Sequence, residues 1–196
     1  MTLAEKCQLI QQNQIAIDAQ GPFPEEVRKR INYRFRLDWN YFSNRIEGGT
    51  LSREETRSVM VGNIDVRGKP IRDVMEMNGH DQVVLEVLKM GKGELKLSEK
   101  RIKGVHKAIV QPEEEEQRAQ LGKWKTHPNE VIGYKGEKIE FAAPLDVSDL
   151  MHKLLDRTNA ALDKIANQKP DAPLPVILAA DFHIDYITIH PFFDGN

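Results

Sequence analysis

A single cysteine, Cys7, is all the thiol chemistry that the 196-residue chain holds. One cysteine leaves no internal disulfide and excludes a cysteine-rich zinc site, and it fits a reducing compartment. No apolar run approaches the ~20 residues that a membrane span needs. The start, Met1-Thr-Leu-Ala-Glu-Lys, lacks the basic-then-apolar order of a signal peptide. Charge of one sign is missing as well, because 28 basic side chains against 30 acidic ones leave a net −2. That balance argues against a nucleic-acid fold built on a basic face and against a polybasic membrane binder. Internal repeats and low-complexity linkers are absent, and strand signals are scarce. What the chain does have is 40% apolar side chains, enough for a core without a metal or disulfide staple. A soluble cytoplasmic protein is the expectation.

The apolar spacing predicts a mostly helical chain. Residues 2–18 form a first helix that Gly21-Pro22 ends. Pro24, Glu25 and Glu26 open a second, in which Val27, Ile31, Phe35, Trp39 and Phe42 line one face, and Trp39 and Phe42 are expected to pack it onto the body. Gly48-Gly49 breaks it. Ser52 to Glu55 is a capping box that starts a short third helix. A long helix follows Pro70 and stops at Gly91, and a shorter one follows Ser98 through Ile109. The acidic run 111–118 reads as a solvated surface. Residues 131–141, with a turn at Lys135-Gly136, read as a β-hairpin. Helices at about 147–167 and 176–189 complete the chain. The last is almost wholly apolar, a pattern that belongs at the centre of a fold.

The end of that last helix carries the chemistry. His190 stands at a helix C-terminus, Pro191 breaks the helix, and Phe192, Phe193, Asp194, Gly195 and Asn196 follow. An Asp-Gly-Asn loop leaving a helix can offer backbone N–H groups and one carboxylate, which suits a phosphate with Mg²⁺. By residue type alone, a helix cap and an Asp-Gly turn is the favoured reading of the segment. Two histidine–carboxylate groupings carry less. His183, Asp185 and His190 have the ligand types of an iron site, but Asp185 points away from His183 on one helix. His80-Asp81 lacks the further histidine pattern of a metal phosphohydrolase.

The heptapeptide His190 to Asn196 resembles the start of the Fic (Fido-domain) signature, His-Pro-Phe-x-Asp/Glu-Gly-Asn-Gly-Arg, at every signature position present. His183 also resembles a common feature of the family's central helix, though a core role suits it better than a catalytic one. Ser98 to His106 followed by Gly122-Lys123-Trp124-Lys125 looks like the family's helix and the stretch before its hairpin flap. Upstream, Ser43-Asn-Arg-Ile-Glu47-Gly48 is similar to the motif of an autoinhibitory helix.

The resemblance implies an all-α, Fic-like helical core with one short β-hairpin flap. Residues 1–95 would be an N-terminal helical region carrying the inhibitory helix, at about 26–47. Residues 96–196 would be the core, truncated inside its signature. It further implies a protein adenylyltransferase that moves AMP from ATP, with Mg²⁺, onto a Ser, Thr or Tyr hydroxyl of a target protein. His190 would be the general base. Asp194 would hold Mg²⁺, Phe192, Asp194, Gly195 and Asn196 would form the nucleotide-binding loop, and Ile139, Glu140 and Phe141 of the flap would align the target. Glu47, with Ser43, would inhibit. The signature's Gly-Arg does not follow Asn196, so the chain as written is expected to be a truncated piece without activity. Two alternatives stay open. One is a nucleotide- or partner-binding module without catalysis, and the other is a Fic-type enzyme of different chemistry (phosphocholine transfer, phosphotransfer or AMP removal). Self-modification and a homodimer stay open as partners.

Overall fold

The computed structural model describes every residue except Ile64, Asp65, Lys92 and Glu113. Glu113, within the acidic run expected to be solvated, therefore lies outside the described residues. Eight helices and one two-stranded hairpin follow in order among the described residues: α1 (Leu3–Asp18), α2 (Glu25–Ile46), α3 (Arg53–Met60), α4 (Ile71–Gly91), α5 (Glu99–Ile109), α6 (Glu115–Arg118), β1 (Glu130–Ile132), β2 (Lys138–Glu140), α7 (Val147–Ala166) and α8 (Pro175–Ile189). The fold is helical with a single antiparallel hairpin, as the sequence patterning indicates.

Local chemistry sets the boundaries. Ser52 and Glu55 form the reciprocal capping box of α3, and Thr2 with Glu5 forms another at α1. Ser98 caps α5 by accepting from the Arg101 N–H. α2 ends in paired bonds from Gly48 N–H to Arg45 O and from Gly49 N–H to Asn44 O, which satisfy its last carbonyls. Proline opens α8 at its first turn.

Two apolar clusters hold the helices together. Leu51, Val59, Val74 and Met77 join α3 to α4. Val147, Met151, Leu154 and Ile189 join α7 to α8, with Ile102, Trp124, Phe182 and Tyr186 packed around them. The helices α4 and α5 link the two, crossing where Gly79 lies against Ala108.

Two burial expectations differ from the structure. The α2 stripe of Val27, Ile31, Phe35, Trp39 and Phe42 faces outward, with Phe35 at 69% and Phe42 at 57% exposure. The opposite, mostly polar face meets α4, because Asp81 on α4 is buried and needs the Arg36 guanidinium and the Asn40 amide. Apolar spacing tells which residues share a face; here a buried carboxylate decides which face turns inward. The helix α8 is likewise not surrounded. Phe182, Tyr186 and Ile189 pack toward α7, whereas Val176, Ile184 and Ile187 stay exposed. His183 lies on the exposed side rather than in the core.

The α4–α5 crossing is close enough to test. A Cβ built on Gly79 would stand 1.6 Å from the Ala108 carbonyl oxygen, a main-chain atom that cannot swing aside. Gly79→Ala is expected to force the helices apart at a cost of about 2–3 kcal/mol. Thermal unfolding followed by circular dichroism should then show Tm lower by about 5–10 °C. An unchanged Tm would contradict the close crossing.

Candidate active site

The loop after α8 is held from behind by side chains and main chain of other elements. His190 ends α8 in the left-handed region, at φ 50° and ψ 64°, and its N–H still bonds the Tyr186 carbonyl. Such a backbone is uncommon for any residue but glycine, and surrounding contacts must hold it there. Phe141, just after β2, supplies one of them by stacking on the imidazole at 3.9 Å, nearly parallel. Lys125 N–H bonds the Pro191 carbonyl at 2.8 Å. The Lys125 ammonium, itself buried, donates to Asn129 Oδ1 and to the Ile189 carbonyl.

Phe192 is the anchor, with no exposed surface. Its ring stacks on His106 at 3.9 Å and tilts against Trp124 at 5.1 Å. Its carbonyl accepts from Asn129 Nδ2 and from Asn196 Nδ2, and its N–H donates to Asn196 Oδ1. The Asn196 side chain thus closes the loop on itself like a main-chain pair. Gly195 adopts φ 63°, and a Cβ there would meet Val110 Cγ2 at 2.4 Å, so only glycine fits. Asp194 Oδ1 accepts from the Gly195 N–H at 2.8 Å. Among the described residues, the N–H groups of Phe193, Asp194 and Asn196 donate to no protein acceptor. These three donors, beside an exposed carboxylate, are the complement of an anion paired with a cation.

A cleft of about 410 Å³ opens in front of this loop. Asp194, Gly195 and Asn196 form one wall, and Ser43, Ile46 and Glu47 at the end of α2 form another. Arg72, Glu76 and His80 of α4 close it. A smaller space of about 290 Å³ adjoins it, shared by Arg72 and Asp194. The Glu47 main-chain N–H donates to the Ser43 carbonyl at 3.4 Å, while among the described residues no hydrogen bond joins their side chains, though both residues line the cleft. The hairpin stands apart from the cleft and meets the loop through the Phe141–His190 stack. Ile139 and Glu140 lie on β2, where Val131 pairs with Ile139 and Glu130 with Glu140. Both strands are exposed, and β2 has one edge unpaired.

The charges follow from this packing. Burial pushes the His190 imidazole below its ordinary value, the Lys125 ammonium pushes the same way, and a backbone bond at Ile187 and the Asp194 charge oppose both. Burial also lowers Lys125 and His106. His80 is held down by burial against the pull of Asp81. Asp185 is taken by Arg157, and Asp81 by Arg36 and Asn40. Among the described residues, no group of three or more His, Cys, Asp or Glu side chains could hold a metal ion. Asp194, exposed on the cleft wall, can offer one carboxylate to an ion that a phosphate brings with it, which is a normal Mg²⁺ shell. His106, which behind Phe192 touches the Asp194 carbonyl, was not legible as a site residue. Its sequence signals were a place on an apolar helix face and at the end of the Ser98–His106 stretch that resembles the family's helix.

Residues 96–196 match the model of the Fic/DOC family. Over 169 residues the chain is 28% identical to a protein of Nematostella vectensis named protein adenylyltransferase Fic, covering 80% of this chain and 33% of that one. Among solved structures, it superposes on a Fic domain containing signaling protein from Bacteroides thetaiotaomicron with a TM-score of 0.80 and 32% identity, covering 95% of this chain and 66% of that one. Fic-1 from C. elegans, at 19% identity and a TM-score of 0.74, shares the fold over 98% of this chain and 53% of its own. The chain thus spans a third of the curated relative and half to two thirds of these structures. Among the described residues, no helix is long and apolar enough to cross a membrane.

The depressed His190 value is open to direct measurement. An NMR titration of the histidine ring signals should place its midpoint below the ordinary value of about 6.5. Removing the neighbouring positive charge with Lys125→Met favours the protonated ring, so the midpoint should move up. A midpoint that stays put, or falls, would contradict the coupling.

Proposed function

The chain belongs to the Fic/DOC family, and from that premise we propose that it is a protein adenylyltransferase held in check by Glu47. The observation that carries the reading is the shared cleft: the Asp194–Asn196 loop forms one wall and Glu47 another, with His190 at the root of that loop. ATP, with Mg²⁺, is the proposed nucleotide substrate. Asp194 fits the ion with its one carboxylate, and the three undonated N–H groups of Phe193, Asp194 and Asn196 fit phosphate oxygens. The ion would offset phosphate charge when the nucleotide binds.

The residues then divide the work. His190 is the general base: a ring nitrogen takes the proton of a Ser, Thr or Tyr hydroxyl as that oxygen bonds to the α-phosphorus. The bond from the α-phosphorus to the oxygen bridging it to the β-phosphate breaks, and pyrophosphate leaves. A ring kept neutral by burial and by Lys125 is ready to accept that proton at neutral pH. The exposed edge of β2, at Ile139 and Glu140, suits an extended target segment, which would add as a further strand and bring its hydroxyl toward His190 beside Phe141. Glu47 inhibits by adding negative charge to the cleft where the phosphate tail would lie, and Ser43 stands beside it on α2. The cytoplasm, rich in ATP, is the proposed location.

The protein carried past Asn196 into the signature's Gly-Arg, wild type and Glu47→Gly, can be incubated with Mg²⁺ and ATP labelled at the α- or the γ-phosphate. Protein-bound label is expected from the α position alone, at least about tenfold stronger in Glu47→Gly. His190→Ala should lower it by about 10²–10⁴-fold, the usual contribution of a general base. The acid limb of the pH–rate profile should fall below about pH 6.5, because a depressed His190 loses its basic form only there. Label from the γ position alone would mean phosphotransfer, and no label from either would overturn the enzyme reading.

A further inference from the structure

We infer that His106 is a positioning residue, a neutral imidazole fixed as the Nε2–H tautomer that holds the Asp194 main chain and so aims the Asp194 carboxylate into the cleft. The inference rests on the proposed role of Asp194, but its geometry stands without it. His106 is 2% exposed and lies on α5, 88 residues from the loop it touches. Its Nδ1 faces the Gly122 N–H at 3.0 Å, and a main-chain N–H can only donate, so Nδ1 must be bare. A neutral ring then carries its proton on Nε2, which faces the Asp194 carbonyl oxygen at 2.9 Å, and that oxygen can only accept. The two neighbours fix the tautomer between them.

The ring is also fixed in its plane. Phe192 stacks on one face at 3.9 Å, and Phe193 meets an edge at 5.9 Å. Both nitrogens are engaged, so His106 has no proton to trade with a substrate. Its reach is instead to the residue whose carboxylate meets the cleft. The Asp194 carbonyl is pinned from behind by His106, and the carboxylate is pinned from within by the Gly195 N–H. With the carbonyl released, Asp194 can rotate about its main chain, and the carboxylate loses its bearing on the phosphate-bound ion. A ligand's outer hydrogen-bond partner of this kind is typically worth ~10–100-fold in metal affinity.

Glutamine and leucine substitutions separate this role from mere packing. A glutamine amide can present an N–H near the Nε2 position, whereas leucine fills the volume with no donor. ATP binding to wild type, His106→Gln and His106→Leu would be measured by calorimetry with Mg²⁺ and again with EDTA. His106→Leu should lose about tenfold in affinity with Mg²⁺ and little with EDTA, and His106→Gln should regain most of the loss. Equal affinities for all three with Mg²⁺, or equal losses with and without it, would overturn the inference. Long-range ¹H–¹⁵N correlation spectra of the wild type read the tautomer with no nucleotide present. A protonated Nε2 with bare Nδ1 is expected, and a proton on Nδ1 would overturn the inference even if no adenylyl transfer is ever observed. Should His106→Leu fail to fold, the glutamine variant and the spectra still decide. A wild type that binds no ATP would sink the adenylyl-transfer reading alone, leaving the tautomer to be judged by the spectra.

Discussion

The burial of Phe192 is the constraint on which the site depends. One aromatic ring, taken fully out of water between His106 and Trp124, fastens to the body a loop that ends in Asp, Gly and Asn. Burying a side chain of that size contributes ~1.5–3 kcal/mol, but its consequence is geometric. Once the ring is seated, the flanking main chain must find partners, and it does so through Lys125, Asn129, Asn196 and His106. Among the described residues, the N–H groups of Phe193, Asp194 and Asn196 are left without a protein acceptor, on a loop whose last three residues line the cleft. The left-handed backbone of His190 belongs to the same device. It turns the chain off α8 toward the buried Phe192 and leaves the imidazole against Phe141.

A second constraint sets the opposite wall of the cleft. Asp81 is a buried carboxylate, and a buried charge without partners is far costlier than one that is paired. Arg36 and Asn40 of α2 satisfy it, and Asn40 in turn engages His80 Nδ1 at 2.7 Å. This polar seam pins α2 to α4 roughly two turns before α2 ends. The paired bonds of Gly48 and Gly49 stop the helix where Glu47 reaches the cleft. Control and catalysis, on the proposed reading, are thus joined through a hydrogen-bonded seam rather than through apolar packing.

Much of the fold was legible because its signals are local. The capping box of Ser52 and Glu55, the Pro70 and Gly91 limits of α4 and the Lys135-Gly136 turn each act over a few residues, and each element followed. The direction in which α2 faces was not legible, since it depends on Asp81, far along the chain. Nor was the exposure of α8, because apolar composition states a need for neighbours without naming them. At the site, the heptapeptide His190 to Asn196 could be singled out from residue types and from its resemblance to a family signature. The nearness of Glu47 to that loop requires the whole α2–α4 seam, and the contact between His106 and Asp194 spans 88 residues. Neither has a spacing that a linear reading can detect.

The central claim is that one cleft, walled by the loop after α8 and by Glu47, receives the phosphates of a nucleotide. The most direct measurement is a crystal structure of the Glu47→Gly protein with Mg²⁺ and a non-hydrolysable ATP analogue. The account predicts phosphate density against the N–H groups of Phe193, Asp194 and Asn196, with the ion on the Asp194 carboxylate and the α-phosphate on the His190 side. A nucleotide bound elsewhere, or a cleft that stays empty at saturating analogue, would contradict it.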